Sequence, residues 1–385
     1  MHEDFIDVND PKKCLELSKS KYLTEFKDLF HNRDQCLKKA KDFTKLCLQP
    51  AVQDYVTKMI GPDVVDEVKT GEGSEDYSTR GAFQFAILQQ LLTDGEYEKY
   101  EGYIHHYSWF VKDWLFEQIV QQLSNDNSLK KLEKKHLSEI VKIITYTISN
   151  IRETTGMKHV NDVKTFIQNI CSALKEKLVL KDALDSILIL NTADTKQFAD
   201  FLTELVKEME QSLAAKYDKG RYIKERLKSL PFKPQDKLFT VLFGCGKQCP
   251  FCGAPCEAGG KEHAQHFTSI HRPQGLRGVK FIPTNKLVTN ICSSDVTSNL
   301  KFIHPLVTGE DSHPCKDYRK YYPDWIIPGD PSIKASDYWK YVMATFQDRI
   351  AKDRDSTLPA DLPEDWKALT PGDALKSLKG AFNMK

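Results

Sequence analysis

The stretch Cys249-Pro250-Phe251-Cys252-Gly253-Ala254-Pro255-Cys256 decides how the C-terminal part of this chain folds, and His263, His266 and His271 follow it. Two cysteines that flank two residues form a tight turn that directs both sulfurs at one ion. Gly253 can adopt the positive φ that such a turn often needs. Thirteen residues separate Cys252 from His266, and four separate His266 from His271. This is the spacing of a zinc site with two cysteine and two histidine ligands.

We therefore predict one zinc ion, bound by Cys249, Cys252, His266 and His271. Two thiolates and two neutral imidazoles cancel the charge of Zn²⁺, so the ion can be buried without a large electrostatic penalty. The ligand choice stays open, because Cys256 and His263 could each replace one ligand and Cys245 could also reach the ion. The alternative interpretation is that these cysteines are free and the histidines lie at the surface without a metal. It is disfavoured because six of the ten cysteines lie close together between Cys245 and Cys315.

A structural role is predicted for this zinc. A catalytic zinc keeps an open position beside a carboxylate base, but Glu257 and Glu262 occur in neither an H-E-x-x-H nor an H-x-E motif. A RING-type ubiquitin ligase is disfavoured, because it needs eight ligands in two interleaved sites and the second site has no cysteine pair. A second zinc would need irregular spacing among a further group, Cys292, His304, His313 and Cys315.

Upstream of this stretch the sequence has the period of amphipathic helices, with apolar residues recurring every third or fourth position. The clearest apolar stripes cover residues 137–151, 163–178 and 198–213, and a fourth covers 85–92. We expect a helical domain over residues 1–230, with breaks at Gly61-Pro62 and across Gly71–Glu75.

The pattern changes after Leu230, because Pro231 and Pro234 cannot continue a helix. Short β-branched and aromatic runs follow at 238–243 and 286–291, set among glycine and proline. We predict a small α+β module over residues 231–385, stabilised by zinc, with a last helix from about Ser336 to Ile350. The fold class is mainly α, a helical bundle followed by this module.

Two segments have the composition of a nucleic-acid or phosphate site. Seven aromatic residues between Tyr97 and Trp114 could stack on bases, but core packing is favoured because the residues between them are as often acidic as basic. The run from Tyr217 to Lys228 is locally basic. Asp218 and a glutamate interrupt it, so the solvated end of a helix is favoured over a phosphate-binding patch.

Composition excludes several classes of protein. The 385 residues are 40% hydrophobic and 28% charged. The 55 basic and 54 acidic residues leave a net charge of +1, and a value so close to zero does not identify any class of partner. We see no signal peptide and no apolar stretch near the roughly 18 residues of a membrane span. We expect a soluble protein of the cytoplasm or nucleus with reduced thiols. No phosphate-binding loop, G-x-S-x-G elbow or kinase motif set occurs, so we expect no enzyme activity in this chain.

Five motifs occur in order along the C-terminal part: Cys249–Cys256, His271–Leu276, Lys316–Tyr318, Tyr322–Trp325 and Ala335–Trp339. Together they resemble the C-terminal region of the interferon-inducible very large GTPases and the related up-regulator of cell proliferation. The helical part resembles the same family more weakly, mainly through Tyr100–Trp114.

The resemblance implies a cytosolic or nuclear protein connected with innate immune responses, in a family whose members carry a large guanine-nucleotide-binding domain upstream. This sequence lacks that domain, so GTP binding and hydrolysis are not expected of it. It also departs from the family at Phe302, which is followed by Ile303 and His304 where the family has a cysteine.

We therefore expect a non-catalytic scaffold or interaction protein with protein partners and a structural zinc. The alternative is a zinc-dependent nucleic-acid-binding protein, because the ligand spacing is that of a zinc finger. A net charge near zero argues against it, since nucleic-acid affinity comes largely from phosphate neutralisation.

Overall fold

A computed structural model describes residues 12, 15, 16, 19, 32–70, 79–125, 127–156, 163–180, 195–218, 223–260, 262–281, 283–303, 312–357 and 362–384. The described residues group into two compact units, and each unit is discontinuous in sequence. Unit 1 lies within Met1–Asp63 and Leu123–Phe232, and unit 2 lies within Val64–Gln122 and Lys233–Lys385. The division after Phe232 falls close to the expected boundary at residue 230. Unlike the expected domains, unit 2 also contains helices from the first third of the chain.

Helices make up most of the described residues as far as residue 243. In order, they are α1 (Asn32–Phe43), a π-helical turn (Thr44–Leu48), α2 (Gln49–Thr70), α3 (Arg80–Asp94), α4 (Tyr97–His105), α5 (Tyr107–Asn125), α6 (Ser128–Gly156), α7 (Val163–Leu174), α8 (Thr195–Asp218), α9 (Ile223–Ser229) and α10 (Pro234–Phe243). The prediction of a mainly α fold is confirmed.

The core of unit 1 is built from the apolar stripes that the sequence shows. Ile144 on α6, Phe166 on α7 and Leu202 on α8 are each fully buried. The rings of Phe166 and Phe198 meet edge to face with their centroids 6.2 Å apart. Helix α8 packs against both α6 and α1, so burial of the stripes joins elements distant in sequence.

The predicted break at Gly61-Pro62 is wrong, because both residues lie inside α2. An interior proline removes one backbone hydrogen bond and adds a steric clash, and burial of Ile60, Val64 and Val65 around it offsets this cost. Gly61 serves close packing instead, since a Cβ there would lie 2.6 Å from Cδ1 of Phe232. The expected loop at 71–75 lies outside the described residues.

The run 238–243, whose composition suggested a strand, forms helix α10. The helix begins at Pro234, whose fixed φ suits the first turn, and Asp236 carries a favourable negative charge there. Leu238, Phe239 and Phe243 are buried on one face. Tertiary burial at helical spacing therefore overrides the local β propensity.

Short strands and helices form the remainder of unit 2. The strands are β1 (His266–Phe267), β2 (Lys280–Phe281), β3 (Lys286–Leu287), β4 (Lys301–Ile303), β5 (Ser312–Pro314) and β6 (Trp325–Ile326), and the helices are α11 (Cys292–Asp295), α12 (Asp337–Asp353), α13 (Glu364–Lys367) and α14 (Pro371–Ala381). Strand β1 pairs in parallel with β6, whereas β2–β3 and β4–β5 are antiparallel pairs. This is the small α+β region that the sequence predicts. Helix α12 is the one expected near Ser336, but it is not the last, because α13 and α14 follow it.

The aromatic segment contributes mainly to the core of unit 2, as favoured from the sequence. Tyr100, Tyr103 and Tyr107 are buried, whereas Trp109 is 67% exposed. The ring of Tyr103 stacks on Trp339 of α12. No helix in the described part of the chain is long and apolar enough to cross a membrane.

Candidate metal centre

Eight cysteine and histidine side chains of unit 2 come together in two groups of four. Cluster A consists of Cys245, Cys256, His263 and His266, and cluster B consists of Cys249, Cys252, His271 and Cys292. Within each cluster the four potential ligand atoms all lie within 4.8 Å of one another. The two sets interleave along the chain, because the first two members of cluster B lie between the first two members of cluster A.

The structure brings together three of the four ligands predicted from spacing. Cys249, Cys252 and His271 lie in cluster B, but His266 lies in cluster A. The other members of cluster A are the three residues left open as alternatives. The fourth member of cluster B is Cys292, at the start of α11. The prediction of a single quartet therefore does not match the geometry.

The further group of four predicted from the sequence does not form among the described residues, because His313 and Cys315 lie apart from Cys292. His313 instead faces the hydroxyl of Tyr321, 2.7 Å from its Nδ1 atom. Cys315 is buried outside both clusters, and His304 lies outside the described residues. The crowding of cysteine and histidine was the correct signal, but spacing alone does not show which of them meet.

A tight backbone turn presents the first ligands. The amide of Gly253 donates to the carbonyl of Cys249 (2.9 Å), and the amide of Cys249 donates to the carbonyl of Ala254 (2.7 Å). Gly253 has a φ of 71°, as expected from the sequence. The amide of Lys247 lies 3.4 Å from Sγ of Cys245, so a backbone donor reaches a cluster A sulfur as well.

One distance between ligand atoms in each cluster matches an edge of a small tetrahedron, whereas Nε2 of His263 and Nδ1 of His266 are closer together, at 2.9 Å. Metal–sulfur bonds of about 2.3 Å and metal–nitrogen bonds of about 2.05 Å imply edges of about 3.8 Å between two sulfurs and 3.6 Å between sulfur and nitrogen. Sγ of Cys249 and Sγ of Cys292 are 3.8 Å apart. Sγ of Cys245 lies 3.6 Å from Nδ1 of His266. The distance between the two sulfurs is far too long for a disulfide bond. These two distances are those expected between the ligands of one metal ion.

Cluster B favours a thiolate even before a metal is considered. Burial raises the pKa of the Cys249 and Cys292 thiols. Burial also acts to raise the pKa of Cys252, but hydrogen bonds from both neighbouring thiols and from His271 lower it well below its usual value. Nδ1 of His271 lies 3.3 Å from Sγ of Cys252. The thiolate is the form of cysteine that binds metals.

In cluster A, the carboxylate of Asp324 lies near the ring nitrogen of His266 that faces away from the other ligands. Nδ1 of His266 faces the cluster, whereas Nε2 lies 3.5 Å from Oδ2 of Asp324. The backbone amide of His266 donates to the carbonyl of Asp324 (2.6 Å). Burial lowers the pKa of His266 more than Asp324 raises it, so the ring stays in the neutral form that binds metals. Sequence reasoning missed Asp324 as a supporting residue, although it lies in the motif Tyr322–Trp325.

Aromatic residues pack against Phe251 in the ligand turn, and two of them, Tyr318 and Tyr322, belong to other motifs. Phe251, between two cluster B ligands, meets the rings of Phe302, Tyr318 and Tyr322 at centroid distances of 5.2–6.2 Å. All four rings are buried or partly buried in the same apolar core as the cysteines. The motifs that contain Phe251, Tyr318 and Tyr322 are therefore neighbours in space.

Arg272 connects cluster B to helix α12. It follows His271 and is 1% exposed, with its guanidinium carbon 4.5 Å from the ring centre of Trp339 and 5.3 Å from that of Tyr103. Nη2 donates to the carbonyl of Gly253 (2.9 Å). Such cation–π contacts stabilise a buried guanidinium.

Fold and site together define a mainly helical protein with a cysteine- and histidine-rich α+β region that carries two candidate metal sites. Residues 245–378 match the family described as Interferon-induced very large GTPase 1, C-terminal domain. Over 98% of its length the chain is similar to Interferon-induced very large GTPase 1 of Mus musculus, at 26% identity, and of Homo sapiens, at 25% identity. The chain spans 16% of the length of each relative. No solved structure matches it. The resemblance inferred from the five motifs is confirmed.

Proposed function

We propose that this chain binds two zinc ions, one in each cluster, and that both are structural. The observation that supports this is the presence of two complete sets of four ligands. Four protein ligands leave no open position for a reacting water. Glu257, the carboxylate that follows Cys256, instead accepts hydrogen bonds from Thr268 and from Ser269.

The two ions would stabilise a region that has little regular structure of its own. Its strands contain only two or three residues each. Four of the clustered cysteines are themselves part of its apolar core: Cys249, Cys252, Cys256 and Cys292. Because metal binding and folding are linked in such small modules, the zinc ions would determine whether the region keeps one shape.

In this proposal the chain acts as a non-catalytic scaffold or interaction part of a very-large-GTPase-like system. Similarity to Interferon-induced very large GTPase 1 supports the association with that system and with innate immunity. The sequence has no phosphate-binding loop, so we propose no GTP hydrolysis by this chain. We propose protein partners and a location in the cytoplasm or nucleus.

A ubiquitin ligase is a second candidate, favoured by one observation. Eight ligands in two interleaved sets meet the first of the two requirements that count against a RING-type ligase in the sequence, whereas cluster A still has no closely spaced cysteine pair. Self-ubiquitination by the purified chain with activating and conjugating enzymes would support it. Nucleic-acid binding loses support, because the zinc-finger spacing on which it rests does not form one quartet: His266 lies in cluster A, apart from the other three residues.

Metal content distinguishes two ions from one. Protein purified without added zinc should contain two zinc ions per chain. Cys252→Ala in cluster B and Cys256→Ala in cluster A should each lose one ion, because each removes one ligand of a different set, and the double variant should lose both. Zinc X-ray absorption of the native chain should show the average of five thiolates and three imidazoles shared by two ions.

Cys171→Ala is the matched control, because Cys171 is a free cysteine of α7 outside both clusters. It should retain two zinc ions. One zinc per chain, lost alike in Cys252→Ala and His266→Ala, would contradict the two-cluster assignment and favour the single quartet. Native protein without metal would overturn the proposal.

A further inference from the structure

Unit 1 contains a cavity that the proposed zinc sites do not involve. Its volume is about 240 Å³, and α2, α6, α8 and α9 contribute to its lining. A single water needs only about 10–15 Å³ on a comparable measure, so the cavity has room for a small organic molecule. Tyr217 and Arg226, which line it, belong to the locally basic run of the sequence.

Positive charge exceeds negative charge among the described residues of the lining. Lys130, Lys216 and Arg226 face a single carboxylate, Glu133. Nε of Arg226 donates to Oε1 of Glu133 (2.9 Å), so that carboxylate already has a cationic partner. Neither Lys130 nor Lys216 forms an ion pair within the described part of the chain. Among the described residues, Lys130 and the exposed Lys216 therefore border the cavity without an ion-pair partner.

The lining also contains groups that can donate hydrogen bonds to an anion. Lys130 lies in the first turn of α6, whose N-terminus adds a partial positive charge. Burial raises the pKa of Tyr217 to about 12, so its phenol stays protonated and can donate. Arg226 is held in place by Thr57 through a bond of 3.1 Å from Nη2 to Oγ1. Apolar side chains complete the lining and suit an uncharged body on the ligand.

We propose that this cavity binds a small molecule that carries a phosphate group. A phosphate monoester has a charge of about −1.5 to −2 at neutral pH, which matches the charge of these two lysines. Lysine and arginine are also the side chains that bind phosphate most often. The cavity is concave and of limited volume, which favours a small metabolite over a nucleic-acid strand.

Calorimetry on the full zinc-loaded chain tests this proposal, with AMP as the phosphate-bearing probe and adenosine as its uncharged counterpart. AMP should bind at one site, adenosine should not, and added salt should weaken AMP binding. The double variant Lys130→Gln with Lys216→Gln should weaken AMP binding at least about tenfold, because each lysine supplies a charge-assisted contact.

Lys131→Gln is the matched control, because Lys131 is an exposed neighbour on α6 that does not line the cavity. It should leave AMP binding unchanged, and circular dichroism should show that all variants keep their helices. Absence of AMP binding at millimolar concentration, or binding that the double variant does not weaken, would overturn the proposal. Binding of a single-stranded oligoribonucleotide that needs both lysines, without AMP binding, would overturn it in favour of a nucleic-acid surface.

Discussion

Gly253 is the residue on which the ligand turn depends most. Its φ of 71° lies in the left-handed region. Its carbonyl accepts from Nε2 of Gln248 (2.7 Å) and from Nη2 of Arg272 (2.9 Å). A Cβ at this position would lie 2.9 Å from the carbonyl oxygen of Ile104. Both the backbone conformation and the close approach therefore require glycine.

Gly253→Ala should lower the free energy of unfolding of unit 2 by about 1–2 kcal/mol for the left-handed conformation, and by more for the steric overlap. Gly260→Ala separates the two effects, because Gly260 has a φ of 75° but a Cβ added there would meet no atom within 4 Å. Denaturant unfolding at fixed zinc would measure both variants. Equal losses in the two variants would contradict the steric argument.

At the scale of elements, α4 and α12 meet through a mixed polar contact. Nη2 of Arg354, just beyond α12, lies 2.8 Å from Nε2 of His105 and 3.1 Å from Oε1 of Glu101. Burial, followed by the charge of Arg354, lowers the pKa of His105 to about 4. His105 is therefore neutral in the folded state and accepts the hydrogen bond from the guanidinium.

This contact predicts a loss of stability in acid. In the unfolded chain a histidine has a pKa of about 6.5, so the unfolded state gains a proton first as the pH falls from about 6.5 towards 4. His105→Gln should reduce this loss of unfolding free energy by about 1 kcal/mol. The effect is smaller than for a fully buried histidine, because solvent screens a side chain that is partly exposed. Thermal unfolding across this pH range, with zinc content checked at each point, would measure it.

His106→Gln is the control for this prediction, because His106 is the exposed neighbour at the end of α4 and affects the pKa of His105 less than burial and Arg354 do. It should leave the acid dependence of the native chain in place. A pH dependence that is the same in His105→Gln and in the native chain would show that the His105–Arg354 contact does not titrate as proposed.

At the scale of the whole molecule, the two units rest on different sources of stability. Unit 1 has long helices whose apolar stripes are buried against one another, as on α6 and α8. The part of unit 2 around the clusters has very short strands and a core that includes the cysteines themselves. Removal of metal should therefore affect the two units unequally.

A strong chelator should abolish hydrogen-exchange protection around residues 245–303 and leave the protection of α6 and α8 near its native value. The physical reason is that only the first region would lose ligand contacts that replace an apolar core. Exchange measured by mass spectrometry with and without chelator checks this. Equal loss of protection in both regions would contradict separate sources of stability.

The sequence by itself determined helices α6, α7 and α8 of unit 1, because apolar residues repeated at helical spacing form one face that the helix buries. It also determined the place of helix α12, the family resemblance and three members of cluster B. These features depend on the order and spacing of residues that are close in sequence, and contacts between distant segments do not change that spacing.

Only the tertiary structure decided how the ligands divide between the clusters. Pairing of β1 with β6 places His266 beside Asp324, and α11 brings Cys292 to Cys249. Burial also made a helix of residues 234–243 and kept α2 continuous through Pro62. Contacts between distant segments set these outcomes, since sequence spacing limits which side chains can meet but does not select among several within reach.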